Sequence, residues 1–295
     1  MTLRHLEIFR SVCQAESITL AAEHLNMTQP AVSQHIKYLE RYYGKTLFVY
    51  ENKKLHLTDA GKILYDRLET LNNNEKMIKE EISASASNIK KLSIGVTMTV
   101  GEYAMIQPLT AFLKEYPDIN VHIYFGNTTE LLDMMFRGKI NLALVEGYYP
   151  KDEYESVNYS HEKYIAVCAA NHEFRNGIPK KLGDLVDERL LIREKGSGTR
   201  NILEKNLEAR GLAVSDFIHY TEVENMHTII GLLERDCGIS FLYQIAAEEQ
   251  IKNHSLKEIC LNDFNMEYKF DFIWEKGSIY SEEYRILCEK FISFK

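Results

Sequence analysis

Residues 17–40 read SITLAAEHLNMTQPAVSQHIKYLE. Ser17 or Thr19 offers an N-cap to a short helix whose apolar face is Leu20, Ala21 and Leu25. Asn26-Met27-Thr28 interrupts the pattern, and Thr28 offers a second N-cap. Pro30 falls in the first turn of the next helix, where a missing N–H costs nothing. Ala31, Val32, Ile36 and Leu39 have the spacing that packs this helix on the first. Thr28, Gln29, Ser33, Gln34 and Lys37 are left on the outer face. Gln bonds an adenine edge bidentately, Ser serves either strand and Lys meets phosphate, so the face suits a DNA groove. An ordinary surface helix pair has the same pattern.

Outward from this pair, residues 3–15 place Leu3, Leu6, Ile8, Phe9, Val12 and Cys13 on an amphipathic helix that completes a three-helix unit. Gly44 ends the second helix of the pair, and residues 47–50 and 55–57 flank the turn Glu51-Asn52-Lys53-Lys54 as a small hairpin, or wing. Lys53 and Lys54 at its tip are placed to reach a phosphate or a neighbouring minor groove. The chain carries a net charge of −8, which disfavours nucleic acid overall, yet residues 1–62 hold eight Lys/Arg against six acids. A mildly basic head on an acidic body fits a DNA reader joined to something else.

From Thr58-Asp59 a long helix is expected, with Leu57, Leu64, Leu71 and Ile78 recurring every seven residues and Leu68 and Ile82 between them. A rod of roughly 45 Å with one apolar seam needs a partner, and a second copy of itself is the economical one. Ser83-Ala84-Ser85-Ala86-Ser87-Asn88 reads as a linker. Beyond it, strand-like runs at 91–96, 119–125, 140–145, 164–169, 190–192, 217–220, 238–242, 256–260 and 268–274 alternate with helical ones, including 100–115, 128–137, 199–210, 225–235 and 243–250. That is the rhythm of an α/β body, long enough for two lobes with a cleft. Three strand-to-helix junctions can present free N–H groups to an anion: Thr97–Glu102, with Thr99 and Glu102 at capping-box spacing; Gly126–Glu130; and Gly196–Arg200.

The hydrophobic fraction of 45% suits a folded protein. No apolar run approaches the ~20 residues of a membrane span, and the N-terminus lacks a signal peptide's apolar core, so a cytoplasmic, non-membrane protein is expected. The five cysteines (13, 168, 237, 260 and 288) are scattered without a close pair, and are read as reduced packing residues, with no metal and no cofactor. His161, His172, His219 and His227 lie far apart, and no nucleophile elbow or phosphate loop appears. No catalytic residue is therefore named. A helix-turn-helix head fused to an α/β enzyme is the rival reading, and a solute-binding module whose head only dimerises is a third.

The order of these parts resembles the LysR-type transcriptional regulators along the whole chain. The segment FRSVCQAESITLAAEHLNMTQPAVSQHIKYLERYYGKTLF (9–48) followed by LTDAG (57–61) is similar to that family's winged helix-turn-helix in residue choice and spacing. GVTMTVGEY (95–103), FGNTTEL (125–131), LALVEG (142–147) and IREKGSGTR (192–200) look like a branch regulating sulfur or carbon assimilation, whose ligands are small anions or phosphorylated metabolites. The resemblance implies an α/β fold with three parts: a winged helix-turn-helix at 1–58, a linker (dimerisation) helix and hinge at 59–90, and a two-lobed periplasmic-binding-protein-like effector domain at 91–295. Lobe I would comprise about 91–163 plus 267–295, and lobe II about 164–266. It implies Gln29, Pro30, Ser33 and Gln34 as base-facing positions, and Thr97, Thr99, Asn127, Thr129, Ser197, Gly198 and Thr199 as effector-binding candidates. Implied partners are double-stranded promoter DNA, a small anionic effector, further copies of the chain as homodimer or homotetramer, and RNA polymerase. Tyr50, Lys53 and Gln34 stand where the family favours arginine, which implies a shallower salt dependence.

Overall fold

The computed structural model describes residues 1–52, 54–87 and 90–295. It divides into two units, Met1–Glu80 and Glu81–Lys295.

In the first unit α1 (Leu3–Ala15) turns Ile8, Phe9 and Val12 inward and leaves Leu3 exposed, outside the face expected for it. Ser17, rather than Thr19, caps α2 (Ile18–His24), its hydroxyl accepting from the Leu20 N–H at 3.3 Å. This short helix buries Ala21 and Ala22, and Leu20 points out to solvent. In α3 (Gln29–Tyr43), Pro30 sits in the first turn, and Val32, Ile36 and Leu39 are buried at helical spacing. Gly44 stops the helix with φ 64°, a conformation that costs glycine little. The wing follows as β1 (Phe48–Glu51) and β2 (Lys54–Leu57), antiparallel with Glu51 opposite Lys54; Lys53 lies outside the described residues.

The long helix α4 runs from Asp59 to Ser87. Its start is fixed by Thr58, whose hydroxyl accepts from the Gly61 N–H (3.1 Å) and donates to the Thr46 carbonyl (2.7 Å). Leu64 and Leu68 pack on the cluster of Ile8, Phe9, Val12, Leu39 and Leu47, and each fully buried large side chain there stabilises by about 1.5–3 kcal/mol. Leu71, Ile78 and Ile82 stay exposed along the helix. The stretch 83–87, expected to be a linker, is helical: alanine favours the helix and nothing in Ser-Ala-Ser-Ala-Ser breaks it. Asn88 lies outside the described residues.

In the second unit, among the described residues, nine strands form one sheet in the order β4-β3-β5-β11-β6-β9-β7-β8, with β10 paired to β6. The strands are β3 (Lys90–Thr97), β4 (Ile119–Gly126), β5 (Leu142–Glu146), β6 (Tyr154–Ala169), β7 (Arg189–Ile192), β8 (His219–Glu222), β9 (Ile239–Tyr243), β10 (Leu256–Glu258) and β11 (Met266–Glu275). Packed around them are α5 (Ile106–Glu115), α6 (Thr128–Phe136), α7 (Gly198–Glu208), α8 (Met226–Leu233), α9 (Glu248–Lys252) and α10 (Ser281–Ser293).

Two expected helices are divided. The run 100–115 is a π-helical turn, Val100–Ala104, before α5, and in 243–250 Tyr243 ends β9 while a 3-10 turn, Gln244–Ala247, precedes α9. β6 is sixteen residues long, although only 164–169 reads as a strand. Cys168 and Cys288 are buried, whereas Cys237 and Cys260 are exposed, so these two are not the packing residues expected.

Strand direction decides where the sheet opens. β3, β4 and β5 are mutually parallel along one half, and β7, β8 and β9 along the other. Between them β6 is antiparallel to both β9 and β11, and β11 is antiparallel to β5, so the two parallel sets run in opposite directions. In register, Glu146 at the end of β5 lies opposite Phe270, which lies opposite Ser160; Tyr243 at the end of β9 lies opposite Tyr164. Ser160 and Tyr164 are roughly 13 Å apart along β6. The carboxyl ends of both sets thus converge on one short stretch of β6, the crevice where open α/β sheets take ligands.

Candidate functional site

On α3, Thr28 sits at the N-cap without a side-chain capping bond, and Thr28, Gln29, Pro30, Gln34 and Lys37 are exposed. Gln29 Nε2 donates to Ser33 Oγ at 3.1 Å, one turn on, which fixes two of these polar groups relative to each other. Lys54 is exposed at the start of β2. The helix therefore presents amide, hydroxyl and ammonium groups in a row, the group types that read base edges and hold phosphates.

At the convergence in the second unit, Glu146 is 2% exposed and organises its surroundings. Its Oε1 accepts from Thr199 Oγ1 (2.7 Å) and Thr99 Oγ1 (3.3 Å), and its backbone carbonyl accepts from Thr128 Oγ1 (3.1 Å). Burial raises its carboxyl to about 7, against the opposing hydrogen bonds from Thr199 and Thr99 and the Arg193 charge. Gly198 makes this approach possible: a Cβ there would lie 2.7 Å from the Glu146 carbonyl oxygen. Tyr164 OH donates to the Thr199 carbonyl at 2.8 Å, tying the first turn of α7 to β6.

Arg193 follows β7 and is 3% exposed. Its Nε and Nη2 donate to Glu194 (2.8 and 3.0 Å), and its carbonyl accepts from Arg200 Nη1 (3.0 Å). Glu102, in the π-helical turn, is raised by burial, with Arg193 and His227 opposing. Several buried polar atoms of this cluster have no hydrogen-bond partner: Thr97 Oγ1, Glu102 Oε2, Glu146 Oε2, Ser160 Oγ, Arg193 Nη1 and Tyr243 OH. Buried polar groups are ordinarily paired, so this concentration makes the place the candidate ligand site.

Of the residues named from sequence, Thr97, Thr99, Ser197, Gly198 and Thr199 are all buried here. Asn127 caps α6 in a capping box with Glu130, and its side chain abuts Gly196. Thr129 is exposed and stands outside the cluster; Thr128 faces inward in its place. The expected Thr99–Glu102 capping box is not formed, because the Thr99 hydroxyl is turned to Glu146. Glu146, Arg193, Ser160 and Tyr243 went unnamed, though Glu146 and Arg193 sit inside motifs LALVEG and IREKGSGTR. Elsewhere, the fold brings His172 against Asp236 and Glu188, with Nε2 3.6 Å from Glu188 Oε2. Among the described residues no group of three His, Cys, Asp or Glu is arranged to hold a metal ion.

Comparison with known proteins agrees with both units. Residues 3–62 match the bacterial regulatory helix-turn-helix protein family of the lysR type, and residues 85–289 match the LysR substrate binding domain. The chain belongs to the LysR family of transcriptional regulators. The enzyme-fusion reading gains no support, since the α/β half matches the family's substrate binding domain. Among its LysR-type relatives are the transcriptional regulator CysL of Bacillus subtilis, 27% identical over 91% of this chain and 89% of that protein, and the transcriptional activator CmpR of Synechocystis, 27% identical over 99% and 94%. Full-length LysG from Corynebacterium glutamicum, solved with bound effector Arg, superposes with a TM-score of 0.67 at 15% identity over 100% and 98% of the chains. The Synechocystis CcmR regulatory domain, in complex with 2-PG, gives 0.61 at 18% identity over 69% and 96%. No helix among the described residues is long and apolar enough to cross a membrane.

Proposed function

We propose that this LysR-type regulator reads promoter DNA through Thr28, Gln29, Pro30, Ser33, Gln34, Lys37, Lys53 and Lys54, and that a small anion bound among Thr97, Thr99, Asn127, Ser197, Gly198, Thr199 and Arg193 controls it. The observation that carries the effector half is the buried Arg193 guanidinium, one of whose donors is unpaired, beside the first turn of α7. A cation held in a water-poor site together with helix N–H groups favours an anionic ligand. The exposed Leu71 and Ile78 on α4 support pairing of two copies along that helix, setting two heads on one DNA. The strand directions support lobes near 91–163 plus 267–295 and 164–266, and promoter control would call for a cytoplasmic location and RNA polymerase as a further partner.

Thermal shift of the full-length protein with sulfite, sulfate, thiosulfate, O-acetylserine, phosphoglycolate and ribulose bisphosphate tests the anion. At least one should raise Tm, and Arg193→Met should abolish the rise; no rise with any anion would count against the site. For the head, Gln34→Ala should weaken specific operator binding by about 1–3 kcal/mol, roughly 5- to 150-fold, in a binding titration, with non-specific binding little changed. Equal loss on specific and random DNA would show that Gln34 does not read bases.

A further inference from the structure

The cluster offers a ligand two opposite invitations. Arg193 Nη1 has a proton to donate, while Glu146 Oε2, the second oxygen of a carboxylate that is 2% exposed, has only lone pairs to offer when ionised. The other oxygen of Glu146 already accepts from Thr99 and Thr199, so while these hydroxyls solvate the carboxylate they can only accept from a ligand that brings a proton. A fully deprotonated oxyanion would satisfy Arg193 but set its own lone pairs against Glu146. An anion carrying an O–H or N–H satisfies both.

We propose that Glu146 is the specificity-determining residue of the effector site: it admits anions that bring a hydrogen-bond donor, such as a hydrogenphosphate or an amino- or hydroxy-carboxylate, and rejects anions that only accept. This rests on the anion reading above. Thr97 Oγ1, Ser160 Oγ and Tyr243 OH, buried and unpaired, are hydroxyls that accept or donate as the ligand requires. Glu102 Oε2 is a second unpaired carboxylate oxygen, and Glu102→Gln, which should leave the preference for phosphate in place, separates its share from that of Glu146. A site built to bond a proton on its ligand rejects the analogue lacking it, here by the cost of protonating the buried acceptor at the working pH.

Inorganic phosphate and sulfate form the matched pair for a test. At about pH 8 both are dianions of the same tetrahedral shape, only phosphate retains a proton, and Glu146 is mostly ionised. Titration calorimetry on the full-length wild type should show phosphate binding about tenfold more tightly than sulfate at pH 8, because sulfate is admitted only by protonating Glu146, whose carboxyl burial has raised to about 7. Glu146→Gln places an amide donor where the open oxygen was, while its carbonyl still accepts from Thr99 and Thr199. Sulfate should then bind within ~3-fold of phosphate. Sulfate binding the wild type as tightly as phosphate overturns the proposal without needing any variant. If both anions bind equally and Arg193→Met abolishes both, the anion site stands and the role of Glu146 falls. If neither binds the wild type, the anion reading fails and this inference fails with it.

Discussion

Glu146→Gln should stabilise the effector-binding unit by about 3 kcal/mol at pH 8 and by almost nothing from this source near pH 4. The wild-type carboxyl rises from 4.5 to about 7 because folding buries it completely. A raised acid holds its proton more tightly folded than unfolded, so stability is fully present below about 4.5 and is lost as pH rises toward 7. The Thr and Arg contacts soften this loss without reversing it. Gln does not titrate and keeps the Thr199 and Thr99 hydrogen bonds. The measurement is urea unfolding followed by the fluorescence of Trp274, which is the single tryptophan, is fully buried on β11 and reports this unit. Other titrating groups are common to both proteins and cancel in the difference. A stability difference that stays constant from pH 4 to 8 would show that Glu146 is not the group responsible.

Gly198→Ala should act in the opposite direction, destabilising the same unit at every pH. The new Cβ would meet the Glu146 carbonyl oxygen at 2.7 Å and its Cγ at 2.9 Å, so α7 has to back away from β5. Overpacking against backbone, together with loss of the 2.7 Å Thr199–Glu146 bond, costs on the order of 3 kcal/mol. In a unit of this size that lowers Tm by roughly 6–12 °C. Gly183→Ala is the control, since its Cβ would meet only Leu212 Cδ1 at 3.7 Å. Equal melting of the two variants would mean that the close approach of β5 and α7 is not a constraint on the fold.

The head was legible because its signals are local. Ser17, Pro30, Gly44 and Thr58 punctuate the helices at fixed offsets from apolar residues that recur at helical spacing. The effector half was legible only as a rhythm. Residues 154–163 of β6 alternate with polar and charged side chains, and such a run becomes a strand only when β11 pairs with it. Glu146 closes an apolar run and reads as a solvated strand end; its burial comes from α7, some fifty residues later, pressing Gly198 onto it. Arg193, likewise, is buried by contacts distant in sequence, and nothing local in IREKGSGTR marks it as buried. Thr129 is out of phase by one residue: α6 starts after the Asn127 cap, and helical phase turns Thr128 inward and Thr129 to solvent.

The route of the chain between the halves of the sheet has a mechanical consequence. It passes from one half to the other along β6 and returns along β11, so any rotation of the halves is taken up as torsion in two hydrogen-bonded strands. Their ladder is irregular between Phe270 and Asp271, and Phe270 is the residue level with both Glu146 and Ser160. A bulge is where a strand pair bends and twists most cheaply. The carboxylate proposed to meet the ligand and the softest point of the strap joining the halves therefore share one level of the sheet, and a force applied at the first acts on the second without a lever arm.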